Sequence, residues 1–139
     1  MIDFSGVDIV LEKRLEADVF KEALSKILSL PVHRISVIDD IDRYPERGTA
    51  DVVCVISPVA GQFAAVLSIQ NGPIRLPLET PLEVTQQLAS ALKLKCLTPK
   101  EGVDPYLMWL VLPDSTPAAV ALDPKALDEE RYIVRPVPW

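Results

Sequence analysis

Hydrophobic and polar residues near the start of the chain follow two different periods. The segment from Val7 to Leu11, which is apolar except for Asp8, is typical of a short strand. Apolar residues then recur every three or four positions with charges between them, which predicts an amphipathic helix over about residues 16–30. We expect it to end at Leu30, because the residue before Pro31 is driven out of helical backbone. The apolar stripe of this helix consists of Phe20, Ala23, Leu24, Ile27 and Leu28.

Several later segments have the apolar character of strands. Residues 32–38 alternate and place Ile35 and Val37 on one face. Residues 52–56 are continuously apolar, as expected for a strand covered on both faces. Two pairs of segments are joined by short turns and predict hairpins. The predicted strands after the first are residues 32–38, 52–56, 63–69, 93–97, 106–112 and 117–122, with a final edge strand at 132–134.

A second helix is predicted to begin near Thr80. Thr80 can cap it, Pro81 suits its first position, and Glu83 can complete a capping box. A shorter helix, begun by an Asp-Pro pair, is predicted over residues 123–130. The apolar stripe of the second helix consists of Val84, Leu88, Ala91 and Leu92.

This order of elements predicts a single α+β domain over residues 1–139, with a mixed or antiparallel sheet and two main helices. The chain also divides into two similar half-units of helix, strand and hairpin, residues 7–70 and 73–135. Their strand-turn-strand segments align so that Pro58 falls on Pro113. The identities between the halves are few, so the sequence leaves a duplication open.

Composition limits the classes of partner. The 139 residues are 49 % hydrophobic, which supplies a core for one domain. Fourteen basic against twenty acidic side chains give a net charge of -6. That balance disfavours nucleic acid, because binding to phosphates depends on Lys and Arg. It would attract a basic protein partner.

Cysteine usage and hydropathy indicate a cytoplasmic protein without a membrane segment. Two cysteines are too few for a disulfide scaffold, so we expect Cys54 and Cys96 to be reduced and packed. The start of the chain lacks the basic and apolar regions of a signal peptide. The uncharged stretch over residues 52–74 is interrupted by Pro58 and several turn residues, so two strands explain it better than a membrane span.

Residues that usually carry catalysis or hold cofactors form no motif. The five glycines are dispersed, which argues against a phosphate-binding loop. His33 is the only histidine, so a Ser–His or Cys–His catalyst would have to use it. A zinc site would have only His33, Cys54, Cys96 and carboxylates, without a Cys-x-x-Cys pair. We therefore expect no catalytic residue, no cofactor and no metal, and a domain that folds without one.

The most distinctive polar segment is the loop from Asp39 to Gly48. Its three aspartates could hold Ca²⁺, but the glycine at position six and the bidentate glutamate at position twelve of a calcium loop are missing. Tyrosine and arginine are enriched in binding hot spots, and mixed charge suits electrostatic steering. The alternatives are a solvated connection and a metal-binding loop. The predicted partner-contact residues are Asp39, Asp40, Asp42, Arg43, Tyr44, Glu46 and Arg47.

These patterns favour a non-enzymatic protein-binding domain. A small acidic domain suits a bacterial immunity protein that neutralises a toxin, often a basic nuclease whose active site an acidic surface can plug. The expected partner is another protein, a basic toxin or effector, and a homodimer stays open.

Two alternatives accompany this interpretation. The order of elements is similar to that of the small acidic chaperones of type III secretion, and this resemblance implies a secretion chaperone. It rests on topology alone and carries no residues over, and those chaperones end in a long helix where this chain predicts a short one. The second alternative is a small enzyme or metal-binding domain that uses the loop from Asp39 to Glu46.

Overall fold

The computed structural model of this chain describes residues 7–39, 50–71, 81–102 and 104–136. One short 3-10 turn, Val32–Arg34, accompanies the helices and strands. The helices are α1 (Ala17–Leu28), α2 (Pro81–Leu92) and α3 (Pro124–Asp128). The strands are β1 (Val7–Leu11), β2 (Ile35–Ile38), β3 (Val52–Pro58), β4 (Ala60–Gly61), β5 (Ala65–Asn71), β6 (Cys96–Pro99), β7 (Leu107–Val111), β8 (Pro117–Leu122), β9 (Arg131–Tyr132) and β10 (Val134–Pro136).

Eight of the described strands form one sheet in the order β10-β8-β7-β6-β1-β5-β3-β2. Neighbouring strands are antiparallel except β2 and β3, which run parallel. The predicted α+β domain with a mixed sheet and two main helices is therefore confirmed. Strand β1 pairs with β5 on one side and β6 on the other. It thus joins the strands of the first half of the chain to those of the second. The proposed duplication of the halves stays a prediction.

Helices α1 and α2 contact each other and cover one face of the sheet. Ile9 and Leu11 of β1 belong to the apolar cluster on this face, together with Phe20 of α1 and Leu88 of α2. All four side chains are fully buried. Burial of each one stabilises the fold by about 1.5–3 kcal/mol. The cluster is the main core, and α1 contributes the stripe predicted from its sequence.

The opposite face of the sheet carries a second, smaller apolar cluster. Val10 of β1 lies there because successive strand residues point to opposite faces. Its register partner Leu97 and the nearby Phe63 are also buried in this cluster. Leu127 and Tyr132, from α3 and β9, pack against it. The central strands are therefore covered on both faces.

A short parallel pairing ties the tip of the first hairpin to the C-terminal part of the chain. In it, β4 pairs with β9, so that Gly61 lies opposite Tyr132. The Gln62 N–H donates to the Tyr132 carbonyl at 2.9 Å, and the Val134 N–H donates to Gln62 Oε1 at 2.8 Å. Gly61 has a φ of +94°, and a Cβ at this position would lie 2.8 Å from the Tyr132 carbonyl oxygen. Only glycine allows this close approach.

The start of β2 differs from the sequence prediction. The strand expected over residues 32–38 begins at Ile35, because the Arg34 N–H donates to the Pro31 carbonyl at 3.0 Å and closes a 3-10 turn. Ile35 and Val37 nevertheless share the helix-covered face, as predicted.

The ends of both main helices also differ from prediction. Ser29 adopts left-handed backbone with φ 57°, and so ends α1 before Leu30. Lys93 has the same φ after α2, so the strand expected over residues 93–97 begins only at Cys96. Thr80, the predicted cap of α2, lies outside the described residues.

The C-terminal segment divides into two strands instead of the single one predicted over residues 132–134. The second of them, β10, is the outermost strand beside β8 and contains Pro136. This is the edge position expected for a proline, because it has no N–H to donate.

We expect Gly61→Ala to destabilise the domain by about 2 kcal/mol or more, because the new Cβ meets the Tyr132 backbone and the positive φ is strained. Gly102→Ala is the matched control. Gly102 also has a positive φ, but a Cβ there would meet no atom within 4 Å, so we expect a loss of only about 1 kcal/mol. Urea unfolding measures both, and equal losses would contradict the close approach at Gly61.

Candidate functional site

A groove opens where the start of α1 meets the C-terminal ends of β2 and β3. Its volume is about 430 Å³. The strands bring these ends together because they run parallel. Leu15, Val37 and Ile56 form an apolar floor continuous with the main core. The residues lining this groove are Arg14, Leu15, Glu16, Ala17, Val37, Ile38, Asp39 and Ile56.

The rim of the groove is charged. Arg14 Nη2 lies 3.4 Å from Asp39 Oδ2, and the two side chains are 45 % and 55 % exposed. An ion pair this exposed contributes about 0–1 kcal/mol, so it can exchange partners at little cost. Glu16 is also exposed, and its side chain makes no capping hydrogen bond to α1. The rim thus presents two carboxylates and one guanidinium.

A second ion pair holds the other end of β2 against β3. Arg34 donates to Asp51 through Nε at 3.2 Å and through Nη2 at 2.7 Å, and the Asp51 N–H donates to the Arg34 carbonyl at 2.8 Å. Both side chains are less than one third exposed. The hydrogen bonds from Arg34 are the main reason why the pKa of Asp51 lies below its usual value. The pair holds β2 and β3 together at the starts of the two strands, in the parallel register that places their C-terminal ends at the groove.

Asp39 is the one member of the predicted partner-contact loop that lies within the described residues, where it lines the groove. Sequence reasoning missed the rest of the groove. Leu15 carried a signal, since it is an apolar residue between two charged ones, but nothing in the sequence indicated that Val37 and Ile56 lie beside it. The predicted residues outside the described part of the chain are Asp40, Asp42, Arg43, Tyr44, Glu46 and Arg47.

A recess of about 350 Å³ lies at the start of α2. Trp109 is only partly buried and packs against the main cluster. Lys100 Nζ lies 5.3 Å from the centre of its ring, a cation–π contact. The nearby Thr98 hydroxyl is buried and has no hydrogen-bond partner among the described residues. The lining residues are Pro81, Leu82, Pro99, Lys100, Glu101 and Trp109.

The histidine and the two cysteines considered for nucleophilic or metal chemistry differ in their exposure to solvent. His33 is exposed on the 3-10 turn, whereas Cys54 and Cys96 are fully buried and unbridged, as predicted. Among the described residues, no group of three or more His, Cys, Asp or Glu side chains is placed to hold a metal ion. None of the described helices has the length and apolar character needed to cross a membrane.

The chain matches no family model, no curated protein and no solved structure. The features that bear on a role are therefore the lining residues and charges of the groove itself. Leu15 and Val37 are among its partly exposed apolar residues, and its rim offers exposed charge.

We expect both thiols to react slowly in the native protein. Burial raises the pKa of Cys54 and Cys96 to about 12, so little thiolate forms at pH 8. An aromatic disulfide reagent should label the two cysteines only as the protein unfolds, and should label both in denaturant without reductant. Rapid labelling of the native protein, or no labelling after unfolding, would contradict this arrangement.

We expect Asp51→Asn to reduce stability at pH 7 by about 1 kcal/mol, because it removes a charge-assisted, bidentate pair. The pKa of Asp51 is lower in the folded protein than in the unfolded chain. Its contribution is therefore complete above the unfolded pKa of about 3.9 and is lost as the pH falls through the folded value.

Denaturant unfolding from pH 6 to pH 2.5 measures this effect. The wild type should lose more stability over that interval than the Asp51→Asn variant. Asp128→Asn is the control, because Asp128 is exposed and makes no ion pair within the described residues. Parallel pH curves for wild type and Asp51→Asn would show that the pair does not contribute.

Proposed function

We propose that this chain is a non-enzymatic protein-binding domain that neutralises a partner protein, in the manner of a bacterial immunity protein. The observation that carries the proposal is the groove at the end of the sheet, which combines apolar lining residues with exposed Asp39 at its rim. Protein interfaces typically have an apolar centre that loses water and a polar margin. The groove combines both within one end of the sheet.

The charges of the rim favour a basic partner. Because the Arg14–Asp39 pair is exposed and weak, an incoming arginine or lysine can take the place of Arg14 on Asp39. Glu16 adds a second carboxylate on the same rim. The net charge of -6 would steer a basic toxin or effector toward the domain from a distance.

The same geometry gives less support to the two alternatives. Helix α3 has five residues, whereas the type III secretion chaperones end in a long helix. A metal ion at Asp39 would have to displace Arg14, a cation already paired with that carboxylate. We place the domain in the cytoplasm, where two reduced thiols are ordinary.

The test uses the protein encoded beside the gene for this chain. We expect it to inhibit growth when expressed alone, and to form a stable complex with this domain that restores growth. Titration calorimetry and stopped-flow mixing then measure affinity and association rate. If the neighbour is harmless and does not bind, the proposal fails; if it is a secreted protein that binds without being toxic, the chaperone alternative is correct.

We predict that Asp39→Lys slows association with this partner by about tenfold at low salt and weakens its salt dependence, because it reverses a rim charge. Its stability should stay within about 1 kcal/mol of the wild type, since Asp39 is exposed. Asp128→Lys, on α3, makes the same change of net charge away from the groove. Equal effects of the two variants would mean that only the net charge matters and would remove the groove from the proposal.

A further inference from the structure

We propose that the outer edge of β2 binds an extended segment of the partner as an added strand. The segment places an aliphatic side chain in the groove and a basic side chain, two residues along, against Asp39. This inference rests on the proposed function, since it specifies how the partner is recognised at the same groove.

The first support is the free edge itself. Strand β2 is the last in the sheet and pairs only with β3 among the described strands. Backbone groups of successive strand residues point alternately to the two sides, so about half of those in β2 face away from β3. Such a row of N–H and C=O groups is the template that strand addition uses.

The second support is the difference between the two edges of the sheet. Strand β10, at the opposite edge, contains Arg135 and Pro136, and Arg135 Nη2 pairs with Asp123 Oδ2 at 2.9 Å. Charge and proline are the usual means by which an edge strand resists pairing with another chain. Strand β2, Ile35–Ile38, has neither. Within the described residues, the β10 edge is protected and the β2 edge is left able to pair.

The third support is the position of the groove beside this edge. Val37 lies on the helix-covered face and is partly exposed, and Asp39 is two residues farther along. A residue of the added strand opposite Val37 points to the same face and meets the groove. The next residue on that face lies near Asp39. The recognised pattern is therefore aliphatic-x-basic.

Charge selects the partner segment over a second copy of this chain. Two copies would each carry a net charge of -6, so their like charges oppose association. Like charges disfavour that assembly, whereas a basic segment neutralises Asp39 and replaces Arg14.

The experiment uses a random heptapeptide library displayed on phage as the probe, with the wild-type domain as bait. We expect the selected peptides to share the aliphatic-x-basic pattern. A selected peptide, made synthetically, should bind Asp39→Lys at least about tenfold more weakly than the wild type, a change of about 1.4 kcal/mol. It should bind Asp128→Lys, the matched charge control, about as well as the wild type.

Peptide N-methylation separates strand addition from simple filling of the groove without altering the protein. Methyl groups on the alternate amides that face β2 should abolish binding, whereas methyl groups on the intervening amides should leave it nearly unchanged. Equal tolerance of both patterns, selection of no peptide with the expected pattern, or dimerisation of the free domain in sedimentation overturns the inference.

The two proposals fail separately. If the neighbouring gene product is neutralised but no peptide adds to β2, the proposed function stands and strand addition is wrong. If peptides add to β2 but the neighbouring product neither binds nor inhibits growth, edge recognition stands and the immunity role is wrong.

Discussion

The position of β1 between β5 and β6 is the constraint on which the rest of the structure depends. Its backbone pairs with a strand from each half of the chain, so one strand joins what would otherwise be two separate sheets. Its side chains also contribute to both cores, Ile9 and Leu11 to the helix-covered face and Val10 to the other. The Ala64 N–H donates to the Leu11 carbonyl at 2.9 Å, and the Glu12 N–H donates to the Lys95 carbonyl at 3.0 Å. Both pairings thus continue to the end of the strand.

The central place of β1 determines where the candidate site lies. With β1 in the middle, the strands of the first half extend outward to β2, which becomes an edge. The chain leaves β1 and passes through Arg14 and Leu15, which line the groove, before α1 begins at Ala17. Because β2 runs parallel to β3, Asp39 emerges at the same end as Ile56. Within the described residues, the groove, an exposed carboxylate and the edge strand β2 therefore meet at one place without a dedicated site motif.

The sequence predicted the elements of this fold better than their arrangement. The helical period of apolar residues identified α1, and the apolar residues on both sides of Cys54 indicated that its thiol is buried. Both signals are local, because they depend on residues that are close together in the sequence. Helix ends were displaced at Ser29 and Lys93, since left-handed residues at helix ends are usually glycine and neither position carries that signal. The central place of β1, the parallel pairing of β2 and the groove were not predictable, because each depends on contacts between distant segments. Of the predicted loop, Asp39 is the residue that the described structure assigns to the groove.

The central claim is that the partner is recognised at the β2 end of the sheet. Hydrogen–deuterium exchange of the free domain and of its complex with the neighbouring gene product tests it most directly. We expect slower exchange of the amides of Ile35–Ile38 in the complex, with little change for Val134 and Arg135 at the opposite edge. Unchanged exchange in β2, together with protection at the β10 edge or on α3, would contradict it.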